Sequence, residues 1–146
     1  MPKAVAELPN REETIVAYLR HAALGPGDDE HVWASEAVDD FVRSAEPRAG
    51  WELVLELLRR ASDDEVGLVV AGPLEDLVCR HGTSLADEIE QRAATDESFR
   101  WALGGIWLSK GELPDAVLDR IVQASGGAIK PLPPLAELEP PSRPDT

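Results

Sequence analysis

The sequence is poor in the residues that define several classes of protein. It has one cysteine, Cys79, so an internal disulfide bond is excluded. No window approaches the roughly 18 consecutive apolar residues of a membrane span. The start of the chain also lacks the apolar run of a signal peptide. These absences predict a cytoplasmic protein without a membrane-spanning segment, and a length of 146 residues predicts a single domain.

Sequence motifs for catalysis and cofactor binding are missing as well. The chain has no C-x-x-C pair and no H-E-x-x-H segment, and Gly104-Gly105 lacks the surroundings of a phosphate-binding loop. Neighbouring carboxylates say little about acid–base chemistry in so acidic a chain. We therefore predict no catalytic residue, no metal ligand and no cofactor, and we favour a protein that is not an enzyme.

Basic residues are half as numerous as acidic ones. The chain has 14 Lys and Arg against 28 Asp and Glu, for a net charge of -14. Such a surface repels phosphate backbones, so nucleic acid is not an expected partner. It attracts a basic protein and speeds the encounter with it. The alternative is that the charge serves only solubility.

Capping residues and apolar residues at helical spacing recur along the chain. Asn10, Ser62 and Asp96 are typical N-cap residues, and Ser62 has Glu65 three positions later, as in a capping box. Apolar residues three or four positions apart follow these signals, and no segment alternates as a strand would. The sequence therefore predicts an all-α fold of short antiparallel helices in a compact bundle.

Gly72-Pro73 interrupts a run that is otherwise typical of helix. Proline inside a helix costs about 3 kcal/mol, whereas proline at the first helical position is favourable. We therefore expect Gly72 to end one helix in the left-handed conformation and Pro73 to begin the next, which Gly82 would stop. The units 49–82 and 83–124 then have a similar layout, which a HEAT-like stack would share.

The composition changes near the carboxyl end. Residues 128–146 hold six of the 12 prolines. This predicts a helical domain over residues 1–127, followed by an extended or disordered tail over 128–146. Leu132, Leu135 and Leu138 recur at every third position, so one side of the tail would fit a groove of the same protein.

Two segments resemble a known family. They are G-P-L-E-D-L at Gly72–Leu77 and F-R-W-A-L-G-G-I-W at Phe99–Trp107, and the same pattern includes H-G at His81–Gly82, D-E at Asp87–Glu88 and Ala93 between them. The resemblance is to an uncharacterised bacterial family, a domain of unknown function typified by G-P-L-E-D-L and F-R-x-x-L-x-G-[IV]-W. It implies a small helical bacterial protein and supplies no activity, substrate or catalytic residue. The positions it marks are Gly72, Pro73, Glu75, Asp76, His81, Arg100 and Trp107.

Two structural expectations concern these motifs. Glu75 or Asp76 would pair with Arg100 between helices. Trp101 lies about 200° round the helix from Phe99, so it would contact a second layer of the fold or a partner, and internal packing is the favoured outcome. The sequence leaves the oligomeric state open.

Two functional hypotheses remain. The first is an acidic interaction module, such as a bacterial immunity or antitoxin-type inhibitor of a basic partner. Its binding face would carry Asp63, Asp64, Glu65, Asp87, Glu88, Glu90 and Trp101. The alternative is an enzyme or a metal-binding protein. That protein would use the region of Glu75, Asp76, His81 and Asp87, and convergence of these side chains in one pocket would favour it.

Overall fold

A computed structural model of the chain describes Leu8 and residues 10–134, and over this part the fold is all-α. The elements follow in the order α1 (Arg11–Leu24), α2 (Val32–Ser44), α3 (Pro47–Arg60), α4 (Asp63–Val69), a π-helical segment (Val70–Leu74), α5 (Glu75–Thr95), α6 (Glu97–Leu103) and α7 (Asp115–Ala124). The predicted all-α bundle is confirmed. Of the helices described, none is long and apolar enough to cross a membrane.

Three predicted helix starts are confirmed by their hydrogen bonds. The side chains of Asn10 and Asp96 accept backbone N–H groups in the first turns of α1 and α6. Ser62 and Glu65 form the predicted capping box at α4, in which the Glu65 carboxylate accepts the Ser62 N–H at 2.8 Å. These bonds satisfy donors that the first turn of a helix leaves without an internal partner.

The core is built around α5, which contacts α2, α3, α6 and α7. Every helix contributes buried apolar side chains to one continuous cluster. Within it, the rings of Trp51 on α3 and Phe99 on α6 pack edge to face with centroids 5.4 Å apart. Such aromatic pairs add to the free energy of burial, so this contact fixes α6 on α3.

The structure corrects the joint expected at Gly72-Pro73. From residue 63 to residue 95, α4, the π-helical segment and α5 follow one another without a break. Gly72 does not adopt the left-handed backbone conformation, which among the described glycines occurs at positions 25, 111, 126 and 127. The helix also continues through Gly82, where an end was expected. The two similar units expected on either side of Gly82 therefore share one helix.

A widened helical turn accommodates the proline. In a regular α-helix, Pro73 would lack an N–H donor, and its ring would clash with the carbonyl four residues earlier. Between Val70 and Leu74 the helix is π-type, which widens the turn. In a π-helix each N–H bonds to the carbonyl five residues earlier, so the partner of residue 73 would be the Leu68 carbonyl. Because proline has no N–H, the Tyr18 hydroxyl donates to this oxygen instead, at 3.4 Å. The sequence thus marks an irregularity without revealing its type.

Gly82 does not end the helix but allows close packing against it. It is buried in α5, and a β-carbon added there would lie 3.2 to 3.3 Å from Ile121 and Leu113. These distances are tight, so the absence of a side chain lets α7 and the turn before it approach α5 closely.

The segment after α7 returns to the residues that follow α6. The glycines at 126–127 have left-handed backbone conformations and end the helix. Ile129 is buried, and the Leu132 N–H donates to the Leu108 carbonyl at 2.8 Å while its own carbonyl accepts the Lys110 N–H at 2.9 Å. The first part of the predicted tail therefore packs on the helices. Its remainder lies outside the described residues.

Candidate functional site

Two tryptophans of the second motif lie at the surface. Trp101 on α6 and Trp107 just after it are each 68% exposed, whereas Phe99 and Leu103 are buried. The predicted offset between Trp101 and Phe99 is correct, but the internal packing expected for Trp101 is wrong. Exposed tryptophans are enriched in interaction surfaces, and they have a large apolar area to bury.

Trp101 stands between two depressions. One, of about 820 Å³, lies between the end of α3, the start of α4 and α6. The other, of about 610 Å³, lies between the π-helical segment, α6 and the turn after α7. We call the first depression the Trp101 groove; its lining includes Leu55, Leu58, Asp63, Val66, Phe99 and Trp101. Charged side chains also line it, among them Arg59 and Arg92.

The acidic residues predicted to bind a partner form two separate clusters. The first begins α4 and comprises Asp63, Asp64 and Glu65. The second lies on α5 and comprises Asp87, Glu88 and Glu90. Glu88 contacts Arg48 at the start of α3, whereas Asp63 follows the end of that 14-residue helix. At 1.5 Å per residue the clusters are about 20 Å apart, so they do not make the continuous patch that was expected.

The two clusters also differ in how their charges are compensated. Arg120 on α7 donates to Asp87 at 2.6 Å and to Glu90 at 3.1 Å. Its hydrogen bond lowers the pKa of Glu90 below the usual value. In contrast, Asp63 and Asp64 are exposed, and no basic side chain of the described residues lies within 4 Å of their carboxylates. The α4 cluster therefore presents unpaired charge beside the Trp101 groove.

Glu75 of the first motif holds the turn after α6. Its carboxylate accepts the Trp107 N–H at 2.7 Å. Burial raises the pKa of Glu75 above its usual value, although the bond from Trp107 acts in the opposite direction. One turn along α5, the Cys79 thiol donates to Glu112 at 2.9 Å. Burial, followed by that bond, raises the pKa of Cys79, so the thiol stays protonated and is a poor nucleophile.

His81 and Arg100 satisfy carbonyl groups at helix ends. His81 Nε2 lies 3.2 Å from the carbonyl oxygen of Val42 in the last turn of α2. Arg100 donates to the Ala93 carbonyl at 3.1 Å in the last turn of α5. The last turn of a helix leaves carbonyls without internal partners, and basic side chains are favourable there. Both motif residues thus have structural roles.

The expected pairing of Glu75 or Asp76 with Arg100 is wrong. The ion pair of Arg100 is with Glu97 on its own helix, at 3.8 Å. Asp76 lies instead near Asp39 of α2. Burial, followed by the charge of Asp76, raises the pKa of Asp39.

The four side chains of the alternative hypothesis have different surroundings. Glu75 binds the turn after α6, Asp76 lies near α2, His81 binds the end of α2 and Asp87 binds Arg120 of α7. These contacts do not gather the four groups round one pocket. The convergence that the alternative hypothesis requires is therefore not observed for these four side chains.

Sequence reasoning missed a cluster of two histidines and an aspartate. Asp28 Oδ2 lies 3.0 Å from His21 Nδ1 and 3.1 Å from His31 Nδ1. Burial alone would raise the pKa of Asp28, but the bonds from both imidazoles more than offset this and lower it. The residues flank the break at Gly25-Pro26-Gly27, which the sequence marks only as a helix end. The sequence signal that could have revealed this cluster is the short segment D-D-E-H at residues 28–31, which follows His21 after the break at residues 25–27.

The comparisons with known proteins identify a family and no function. No curated protein and no solved structure matches the chain significantly. The match to a family covers residues 22–129, which is more than half of the chain and includes both segments on which the resemblance rests. The predicted membership of a family of unknown function is thereby confirmed. The chain belongs to DUF6869, a family of unknown function.

Proposed function

We propose that this protein is an acidic helical interaction module that binds a basic partner protein through the Trp101 groove. A bacterial immunity or antitoxin-type inhibitor that acts in the cytoplasm is the form that we infer for it. One observation carries the proposal. An exposed tryptophan borders a groove that contains apolar side chains, and its rim bears Asp63, with which no basic side chain of the described residues forms an ion pair; Asp64 lies beside it.

In this proposal, apolar burial in the groove and negative charge at its rim make different contributions to binding. Burial of the Trp101 ring and of the apolar walls supplies affinity, because large aromatic side chains carry much of the binding energy in interfaces. The carboxylates at the start of α4 attract cationic side chains and accelerate association. The net charge of -14 extends this attraction beyond the contact surface.

The α5 cluster is less suited to the same role. A partner would have to displace Arg120 from Asp87 and Glu90, or Arg48 from Glu88, before its own cations could pair there. Such displacement cancels much of the gain. The proposal therefore assigns recognition to the α4 cluster and leaves the α5 cluster as part of the general field.

The test is a quantitative affinity purification from the native host, followed by measurement of Kd for the recovered partner. We expect a protein with net positive charge whose binding weakens as salt rises. Trp101→Ala should weaken binding by about tenfold or more. Trp33→Ala is the matched control, because Trp33 is also partly exposed but lies in a different depression.

Charge is tested by two double variants that each remove two negative charges. Asp63→Asn with Asp64→Asn should weaken binding and lower its salt dependence. Asp87→Asn with Glu88→Gln should have a much smaller effect. Equal effects of the two would show that only the net charge matters. Recovery of no basic protein at low salt, or unchanged binding by Trp101→Ala, would contradict the proposal.

A further inference from the structure

The loop between α1 and α2 brings several metal-ligating side chains together. His21 lies in the last turn of α1, and His31 is the N-cap of α2. Between them the chain turns at Gly25, which has a left-handed backbone with φ of 91°. Asp28 then points back between the two imidazoles, with its side chain 7% exposed against 10% for His21 and 21% for His31. A nearly buried carboxylate with two histidines is thus held by two helix ends.

One oxygen of Asp28 lies close to three nitrogens. Asp28 Oδ2 lies within 3.2 Å of three nitrogens, which are His21 Nδ1, His31 Nδ1 and the His31 backbone N. A carboxylate oxygen offers about two lone-pair directions. His31 Nδ1 is also 3.2 Å from Asp28 Oδ1, so it contacts both oxygens of the carboxylate. His31 Nδ1 and the Asp28 carboxylate thus already face each other at hydrogen-bond distance, and an ion bound between them would replace the Nδ1 proton.

Glu30 completes a set of three ligands. Ligand atoms of Asp28, Glu30 and His31 all lie within 4.8 Å of one another. Imidazole nitrogen and carboxylate oxygen are the usual ligands of zinc, at roughly 2.0 to 2.2 Å. In a tetrahedron with such bonds, neighbouring ligand atoms are about 3.3 Å apart, so the separations at Asp28 and His31 need little adjustment.

We propose that Asp28, Glu30 and His31 bind a divalent transition-metal ion of the zinc class. The two carboxylates and the ion cancel in charge, and His31 binds as the neutral imidazole through Nδ1. His21 is a positioning residue, because its Nδ1–H holds the Asp28 carboxylate in place from the other side. Glu30 and His31 line an open depression on the surface, so an ion reaches them directly from solvent. The bound ion would tie the end of α1 to the start of α2.

The test uses the full-length chain, with any affinity tag removed and bound metal stripped by a chelator. Zinc binding is measured by calorimetry, and Co²⁺ binding by its visible absorption, which reports nitrogen and oxygen ligands. We expect one ion per chain, with proton release as the site loads. His31→Gln and Glu30→Gln should each weaken binding by about tenfold or more. His81→Gln is the matched control, because His81 lies elsewhere and binds the end of α2.

His31 and Glu30 are more exposed than Asp28, so their variants should fold, and circular dichroism checks this. His21→Gln should weaken binding and keep the one-to-one stoichiometry, since it supports Asp28 without touching the ion. The absence of saturable binding at micromolar Zn²⁺ would overturn the proposal. So would His31→Gln binding as tightly as the unaltered protein, or binding that only His81→Gln abolishes.

Discussion

The two faces of α6 differ in exposure, so one short helix contributes both to the core and to the surface. Phe99 turns inward and packs edge to face on Trp51, which is only 5% exposed. Trp101, two residues later and about 200° round the helix, is 68% exposed beside the Trp101 groove. Contacts within the described chain explain the inner ring fully. They leave most of the outer ring in water, which is why we propose that this face binds a partner.

The largest expected difference is in stability. Phe99→Ala removes a buried ring from the contact with Trp51 and leaves a cavity, so it should lower the free energy of unfolding by about 3 to 5 kcal/mol. Trp101→Ala should change it by about 0.5 kcal/mol or less, as exposed substitutions usually do. Urea denaturation followed by circular dichroism measures both. A large loss of stability in Trp101→Ala would erase the distinction between the two faces.

A second test addresses the carboxyl end of α6. Gly104 has an ordinary backbone conformation, but a β-carbon there would lie 2.8 Å from the β-carbon of Ala128. Gly104→Ala should therefore destabilise the protein by about 1 to 3 kcal/mol through overpacking. In the matched control, Gly67→Ala on α4, the new methyl group meets nothing within 4 Å. That change should stabilise the helix by about 0.5 to 1 kcal/mol. Equal effects would mean that residue 128 does not pack against α6.

The smallest expected effect depends on pH and concerns the turn that follows α6. Burial raises the pKa of Glu75, so the folded state holds the proton more tightly than the unfolded state does. Ionisation of Glu75 therefore lowers stability as the pH rises above about 4.3. Glu75→Gln keeps an oxygen for the Trp107 N–H and removes the charge. It should be more stable than the unaltered protein at pH 7 and lose this advantage near pH 4.

Glu90 provides the control of opposite sign. The hydrogen bond from Arg120 lowers the pKa of Glu90, so its contribution is present at neutral pH and is lost as the pH falls through the folded-state value. Glu90→Gln should therefore be less stable than the unaltered protein at pH 7, with the difference shrinking in acid. Denaturant titrations at both pH values measure the two variants. The same sign of effect for both would contradict these assignments.

Local hydrogen bonding made part of this fold predictable from the sequence. Asn10, Ser62 and Asp96 were correctly predicted as caps because each bonds to a residue three positions away. The outcomes at Gly72 and Gly82 were not predictable in this way. They depend on Tyr18 from α1 and on the approach of α7, which are distant in sequence. Glycine and proline report a local irregularity, whereas its type is decided by what packs against it.

The same distinction applies to the candidate sites. The phase of Trp101 on α6 was predictable, but its exposure depends on whether another layer covers it. Asp28 and His31 are neighbours in sequence, yet His21 joins them only because the loop at Gly25 reverses the chain. Likewise, the sequence alone does not distinguish Asp87 from Asp63, since both are aspartates in acidic segments. Arg120 from α7 compensates the first, whereas no basic side chain of the described residues forms an ion pair with the second.

The widened turn at residues 70–74 also determines how one long helix keeps a single side toward the core. Buried residues recur in adjacent pairs at 69–70, 73–74 and 77–78. Such a row with steps of four would drift by about 40° per step along an ideal α-helix. The wide turn contains one more residue than an α-helical turn. This extra residue offsets the accumulated rotation, so the buried residues before and after it stay on the same side of the helix. Deleting one residue there would therefore let the turn close to a regular α-helix, with the buried rows on either side left in their present register.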